Sequence, residues 1–164
     1  AHRLVQNLCE GGGKKVKVDE STREMLEKEF ADVPPEFKKD IPDLSEVYRL
    51  EPTPECPSGT HGRIACFEVF DMSVELERAI LAGKPEEEMF GIVRKQGMLT
   101  MKEDAIIKSA KGVVPFEEVN TLGGEFDLAE DAAAAAAPSP TTIAENGEES
   151  NAPIAPDKSA DVEV

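Results

Sequence analysis

Cysteine and histidine side chains that could bind a metal ion are spread widely along the chain. The three cysteines are Cys9, Cys56 and Cys66, and His61 lies between the last two. Thiolate and imidazole groups are the ligands that structural zinc prefers, so these four side chains are the candidate ligands. Structural zinc sites, however, use closely spaced pairs such as CxxC, and the sequence has none. The spacing therefore disfavours zinc and predicts free thiols without a disulfide framework, with Cys66 buried in a strand.

The sequence lacks the short motifs that build catalytic sites for nucleotides or peptides. A phosphate-binding loop needs GxxxxGK[ST], in which glycines let backbone amides approach the phosphates while the lysine and hydroxyl serve phosphate and metal. The two Gly-Lys pairs in the chain are followed by Lys15 and Pro85, so neither completes this motif. No GxSxG or HExxH segment occurs, and two histidines offer little for acid–base catalysis. We therefore predict no catalytic and no cofactor-binding residues in this chain.

Negative charge is concentrated towards the end of the chain. The formal net charge is −16, and residues 125–164 contain ten acidic residues against a single basic one, Lys158. The same segment contains a run of six alanines and four prolines, so it has little apolar area to bury. We predict a disordered acidic tail over residues 123–164, because ordering entropy outweighs what such a segment can bury. Net negative charge without a dense basic patch also argues against nucleic acid as a partner.

Helix starts are marked by capping residues. Ser21 with Glu24, and Thr100 with Glu103, have the spacing of a capping box, in which each side chain bonds to the other residue's backbone. Ser73 predicts the start of a further helix. Proline and glycine mark the other helix ends, at Pro35, Gly83, Pro85 and Gly97.

One clear strand is predicted, over residues 63–70, where apolar side chains occupy both faces after a glycine. The lysines at residues 14–17 follow three glycines and are interpreted as a solvated turn. Residues 20–62 form a helical spacer that includes a short helix over residues 35–41 and ends in a loop rich in proline and glycine. The predicted fold class is α+β and mostly helical, with short helices packed around one or two strands.

Three segments carry a resemblance to a known family. They are AHRLVQNLC at residues 1–9, SGTHGRIACFEVF at residues 58–70 and GMLTMKEDAIIKSAKGVVPFEEV at residues 97–119. In this order and spacing they resemble the C-terminal part of the type II secretion protein E and type IV pilus assembly ATPases. The positions that match the motifs of that family are Gly62, Arg63, Thr100, Glu103 and Asp104. We interpret Arg63 as a solvated or capping residue and Glu103 as a helix cap, without catalytic roles.

The resemblance also implies a zinc knuckle, from which this sequence departs. Of the four zinc cysteines of the family, Cys9 matches the first, whereas Gly12 stands where the second belongs. Cys56 lies one residue out of register with the last, and Pro52 or Thr53 occupies the place of its partner. We therefore expect these degenerate positions to hold no metal, and packing to hold the loop instead.

By resemblance, the chain is expected to be the C-terminal subdomain of a hexameric, ATP-hydrolysing motor for type II secretion or pilus assembly. ATP and Mg²⁺ would bind an upstream core that this sequence does not contain, and the subdomain would have a structural and mechanical role. The implied partners are that core, neighbouring protomers of a homo-hexamer and platform proteins of the inner membrane. The implied location is cytoplasmic and peripheral to that membrane.

The expected organisation has four parts. Residues 1–19 lead from the absent core and include half of the degenerate zinc knuckle, and residues 20–62 are the spacer and loop. Residues 63–122 form the strand and the helical subdomain, and residues 123–164 the tail. The alternative is a stand-alone acidic adaptor that binds a secretion or pilus platform. A chain that begins at Ala1 is compatible with removal of an initiator methionine or with a truncated reading frame.

Overall fold

A computed structural model of the protein describes residues 1–123, which contain four strands and six helices. The strands are β1 (His2–Leu8), β2 (Lys14–Lys17), β3 (Glu46–Arg49) and β4 (Thr60–Phe67). The helices are α1 (Glu20–Glu29), α2 (Pro35–Lys38), α3 (Val74–Leu81), α4 (Glu86–Lys95), α5 (Met101–Ala110) and α6 (Glu117–Asn120). The predicted disordered tail lies outside the described residues except for Gly123. The division of the remainder at residues 19 and 62 stays a prediction.

The first sheet joins the start of the chain to a strand in the middle of the described residues. β1 pairs antiparallel with β4, with Leu4 opposite Ala65 and Val5 opposite Ile64. Side chains alternate across a strand, so one face of this sheet carries the buried Val5 and Cys66. The register shifts between Gln6 and Leu8, which places an irregularity near the end of β1. The sheet therefore packs on the core through one face only.

The second sheet was not predicted. β2 pairs antiparallel with β3, and Val16 lies opposite the fully buried Val47. The prediction of a solvated turn at residues 14–17 was wrong, as was the prediction of at most two strands. The KKVK segment has one apolar residue and no readable alternation, so only the partner strand makes it a strand. A surface ion pair between Lys15 and Glu46, 2.6 Å apart, crosses the same ladder.

The predicted strand over residues 63–70 is displaced in the structure. β4 begins at Thr60 and ends at Phe67, where its partner β1 begins at His2. The ladder stops because the partner strand stops, so the apolar residues after Phe67 leave the sheet. Gly62 was predicted to end the preceding loop but lies inside β4. Its φ is +72°, a backbone conformation that favours glycine, and glycine therefore lets the strand continue through this position.

Helix starts were predicted well where the cap is local. Ser73 accepts a hydrogen bond from Leu76 N at 3.2 Å, and Thr100 forms a complete capping box with Glu103. The predicted cap at Ser21 was wrong, because Asp19 caps α1 through Thr22 N at 2.7 Å. α2 ends at Lys38 and does not reach residue 41, which precedes a proline and is therefore disfavoured in a helix.

Two separate apolar clusters hold the described residues together. The main cluster joins both sheets to α1, α5 and α6, and its fully buried members include Val47, Cys66, Ile106 and Phe116. The smaller cluster lies between α3 and α4, around Leu76, Val93 and Met98. Among the described residues, none of the helices is long and apolar enough to cross a membrane.

Candidate interaction surface on the β1–β4 sheet

The hydrogen-bond pattern of the first sheet determines which backbone groups face outwards. Ala1 and Glu68 exchange two hydrogen bonds, of 2.7 and 2.9 Å. In an antiparallel ladder such bonded pairs alternate with non-bonded pairs. The N–H and C=O groups of Ala65 and Phe67 therefore point away from β1, and those of His2 and Leu4 point away from β4. The sheet thus has two outer edges with different surroundings.

The outer edge of β4 is closed by α5. Phe67 N donates a hydrogen bond of 2.8 Å to the Asp104 carboxylate, and Lys108 Nζ donates one of 2.8 Å to the carbonyl of Ala65. Asp104 and Lys108 are one helical turn apart and form an ion pair with each other. The Lys108 ammonium also lies 5.6 Å from the centre of the Phe67 ring. Charged side chains thus occupy the positions that another strand would need.

The outer edge of β1 is only half closed. Gln6 N donates to the Glu118 carboxylate at 3.0 Å, and Leu8 N donates to the carbonyl of Val113 at 2.9 Å. Within residues 1–123, no group takes up the outward N–H and C=O groups of His2 and Leu4. An exposed strand edge of this kind can pair with a further strand.

Exposed apolar side chains lie on this sheet and in the residues that follow β4. Leu4 and Phe67 lie on the uncovered face of the sheet and are 60% and 51% exposed. Of the nine large apolar side chains exposed in the described residues, seven lie within residues 67–81. These are Phe67, Val69, Phe70, Met72, Val74, Ile80 and Leu81. Such a concentration is typical of a surface that another part of a protein covers.

A buried ion cluster connects α5 to the other helices. Arg94 and Glu103 are both almost completely buried, and the Arg94 guanidinium donates two hydrogen bonds to the Glu103 carboxylate. It also donates to Asp32 at 2.6 Å and to the carbonyl of Met98 at 2.7 Å. The bond to Glu103, followed by that to Asp32, raises the pKa of Arg94 above its ordinary value. We name these three charged residues the Arg94 cluster. The charges of Arg94 and Glu103 compensate each other, whereas the buried Arg94 Nε atom has no hydrogen-bond partner among the described residues.

Cys9 and Cys56 form a disulfide, so the prediction of three free thiols was wrong. The expectation that packing alone holds this loop was also wrong, because the disulfide fastens it. The β1–β4 pairing explains the contact, because Leu8 lies opposite Thr60 and the cysteines lie just beyond these residues. Their Cα atoms are 6.7 Å apart despite a separation of 47 residues.

The donor set around the disulfide does not fit a zinc ion. His61 and Gly12 line the same cleft as Cys9 and Cys56, but Gly12 has no side chain to offer. The two sulfurs are bonded to each other and are not thiolates. Across residues 1–123, no three histidine, cysteine or acidic side chains are grouped to hold a metal. Cys66 is fully buried in β4, and burial raises the pKa of its thiol.

Comparison with known proteins finds similarity to two kinds of ATPase-family protein, PilB and the type II secretion system protein E. The chain is 31% identical over 120 residues to the type IV pilus assembly ATPase PilB of Thermus thermophilus, covering 73% of the chain. It is 37% identical over 73 residues to the type II secretion system protein E of Xanthomonas campestris, covering 44% of the chain. PilB of Pseudomonas aeruginosa is 28% identical over 122 residues, 74% of the chain. The chain belongs to this family of secretion and pilus assembly ATPases.

The chain represents only a small part of these secretion and pilus assembly ATPases. It covers 12% of the Thermus protein, 13% of the Xanthomonas protein and 20% of the Pseudomonas protein. No protein-family model matches the sequence. The family relationship thus rests on individual relatives.

The residues that match the motifs of the secretion ATPase family lie in two places. Gly62 and Arg63 are exposed on β4, and Arg63 lies opposite Gln6. Thr100, Glu103 and Asp104 lie at the start of α5. Glu103 accepts hydrogen bonds from Arg94, whereas the adjacent Asp104 accepts one from the edge of β4. The start of α5 therefore contacts both the sheet and the other helices.

Sequence reasoning missed the partners of these residues. Arg94 lies in the last turn of α4, where a cation is favoured by the helix dipole and is usually solvated. Its only sequence signal is the apolar character of its neighbours, Ile92 and Val93. Lys108 follows Asp104 by four residues, which indicates an ion pair but not the strand edge that both residues contact.

Proposed function

We propose that this chain is the C-terminal part of an ATPase that powers type II secretion or type IV pilus assembly, with a structural and mechanical role. The similarity to PilB and to the type II secretion system protein E supports the family part of this proposal. The sequence has no phosphate-binding loop, so ATP and Mg²⁺ would bind a nucleotide-binding core elsewhere in the protein. Hydrolysis would take place in that core.

The open edge of β1 carries this proposal. A two-stranded sheet is marginal on its own, and this one leaves apolar side chains on its outer face. Charged side chains block the edge of β4, so a further strand can join only beside His2 and Leu4. We infer that the sheet of the nucleotide-binding core continues there, and that the core covers Leu4 and Phe67.

The start of α5 would transmit movement from this sheet to the helices. Asp104 holds α5 to the backbone of β4, and Glu103 holds α5 to Arg94 of α4. Arg94 in turn bonds to Asp32, just after α1. Two adjacent carboxylates therefore connect three parts of the fold through charged hydrogen bonds, which are stronger than neutral ones. A shift of the sheet during ATP hydrolysis would move α4 and α5 with it.

In this proposal the working form is a homo-hexamer on the cytoplasmic face of the inner membrane. Its partners are neighbouring protomers and the platform proteins of a secretion or pilus system. The exposed large apolar residues of α3, which are Val74, Ile80 and Leu81, are available for such contacts.

The first test is the DNA sequence immediately upstream of the codon for Ala1. We expect the open reading frame to continue and to encode a phosphate-binding loop of the GxxxxGK[ST] type. A stop codon followed by a start site just before Ala1 would contradict the proposal. The chain would then be a stand-alone adaptor of a secretion or pilus platform.

The second test uses the complete protein and compares two exposed leucines. Leu4→Lys places a charge on the uncovered sheet face, whereas Leu50→Lys places one just after β3, which belongs to the other sheet. We expect Leu4→Lys to lower the rate of ATP hydrolysis about tenfold, which is ~1.4 kcal/mol of activation free energy. Leu50→Lys should retain the rate. Equal rates for both variants and the wild type would remove the sheet face from the proposed contact.

A further inference from the structure

We propose that the Cys9–Cys56 disulfide is a reversible thiol–disulfide exchange site that dithiol reductants open and close in the folded protein. This inference concerns chemistry that the proposed motor role does not use, and it does not depend on that role. It also accounts for the disagreement between the donor set at this position and the zinc knuckle implied by resemblance.

The disulfide is accessible to a small thiol. Both cysteines are half-buried and line a cleft of about 540 Å³ together with Gly11, Gly12 and His61. A Cβ atom at Gly12 would lie 3.0 Å from the carbonyl oxygen of Cys9 and 3.2 Å from its Cβ. Glycine at this position therefore keeps the surroundings of Cys9 free of a side chain.

The local backbone would keep both sulfurs close after the bond is broken. Cys9 N donates to the carbonyl of Gly59 at 3.2 Å, which ties the two segments together without the sulfurs. Cys56 is held by hydrogen bonds with Thr53, including one to its hydroxyl at 3.1 Å. The Cys56 sulfur lies 3.6 Å from the carbonyl oxygen of Thr60, to which a thiol can donate. Both redox states are therefore compatible with this fold.

Exchange is confined to this one pair. Cys66 is the remaining cysteine, and its side chain is fully buried in the main apolar cluster. A thiol that solvent does not reach cannot attack the disulfide or a reagent. The chain therefore carries a single redox couple and an internal cysteine that should stay unreacted.

The chemistry is a two-electron exchange with a dithiol. A thiolate of the reductant attacks one of the two sulfurs, the Cys9–Cys56 bond breaks, and the released sulfur takes up a proton. The second thiol of the reductant then displaces the remaining cysteine, which is also protonated. The dithiol becomes a disulfide, and the protein gains two electrons and two protons. Oxidised dithiol reverses the sequence.

Opening the disulfide would remove the covalent constraint on the loop at residues 51–58. Apart from the disulfide, the hydrogen bonds around Cys56 are between residues of this loop or to the adjacent Gly59 and Thr60. Most of the loop is exposed and contributes no residue to either apolar cluster. Reduction should therefore loosen the loop and leave both sheets intact.

The test equilibrates the full chain with mixtures of reduced and oxidised dithiothreitol, then alkylates and maps the cysteines by mass spectrometry. We expect Cys9 and Cys56 to titrate together in one transition, with Cys66 unmodified. The circular dichroism spectrum should stay unchanged, and protease cleavage within residues 51–58 should become about tenfold faster on reduction. Cys66→Ser should leave the transition in place, and Cys56→Ser should abolish it.

Several results would overturn the inference. One is alkylation of Cys9 and Cys56 in oxidised, folded protein, which would mean that no disulfide forms. Another is resistance of the disulfide to dithiothreitol until the protein is denatured. A third is one tightly bound zinc ion per reduced chain, measured by elemental analysis, because the loop would then be held by metal.

Discussion

Two regions of the molecule are fastened by different chemistry. At the loop-rich end, the Cys9–Cys56 disulfide joins segments that contribute little to the apolar core. At the helical end, the Arg94 cluster connects α4, α5 and the segment just after α1 through charged hydrogen bonds. The first fastening is covalent and half-buried, whereas the second is non-covalent and is centred on Arg94 and Glu103, which are almost completely buried.

This difference indicates which conditions each region responds to. A disulfide opens with the redox state of the solution and is insensitive to salt. A buried ion pair is little affected by either, because solvent does not screen it. Its strength appears only when one partner is removed and the other is left as an uncompensated buried charge. The loop-rich end should therefore be adjustable, and the helical end constant.

The largest expected effect is on the helical end. Arg94→Met leaves the carboxylate of Glu103 buried without a positive partner, which should lower the free energy of unfolding by about 3–5 kcal/mol. Urea denaturation followed by circular dichroism measures this loss. Lys95→Met is the matched control, since Lys95 is the exposed neighbour on the same helix and should change little. A similar loss for both variants would mean that the buried charges contribute nothing special.

The second effect should depend on redox conditions. Cys56→Ser removes the disulfide, and the lost restriction of the unfolded chain should cost about 2–4 kcal/mol under oxidising conditions. With excess reductant, the variant and the wild type should have the same stability within error. Urea denaturation in both conditions provides the measurement. A constant difference with and without reductant would assign the loss to packing of the Cys56 side chain and not to the covalent bond.

The contact between α5 and β4 should contribute less to stability than either of these two fastenings. Asp104→Ala removes the acceptor of Phe67 N and the partner of Lys108, with an expected loss of about 1–2 kcal/mol. Because the edge of β4 is then less protected, light scattering at high protein concentration should also detect more association. Unchanged stability and unchanged scattering would show that α5 does not close this edge.

The smallest effect is expected at the helix caps. Thr100→Ala removes the hydroxyl that accepts from Glu103 N, and about 1 kcal/mol of stability should be lost. Ser73→Ala removes the equivalent bond at α3, which belongs to the smaller apolar cluster. Its effect on the global unfolding free energy should be less, because α3 can loosen while the main cluster stays intact. A larger effect at Ser73 would mean that the two clusters unfold together.

Features that depend on neighbouring residues were predictable from the sequence. Ser73 and the Thr100–Glu103 pair mark their helices correctly, because a cap bonds within three residues of itself. The cap of α1 was misplaced by two residues, since Asp19 and Ser21 both suit that position and only packing selects between them. The mixed fold class was therefore predicted in outline, but with too few strands.

Long-range contacts were not predictable in the same way. β2 and β3 are each four residues long and become strands only by pairing with each other. The disulfide joins residues that neither spacing nor composition relates. Arg94 carries the signal of a solvated helix end, and its buried position follows from α1 and α5. The residues of the interaction surface are similarly visible only once the register of β1 and β4 is known.

The separate apolar cluster of α3 and α4 has a consequence for the motions of the molecule. Leu76, Val93 and Met98 lie between these two helices and are not members of the main cluster. The Gln96 Nε2 atom, just after α4, donates a hydrogen bond of 2.9 Å to the Ser73 hydroxyl, just before α3. Helix α3 and the first turns of α4 should therefore open as one cooperative unit below the free energy of global unfolding, while Arg94 holds the last turn of α4. The backbone amides of that unit would then exchange with solvent deuterium at a common, faster rate, while the amides of β1 and β4 remain protected.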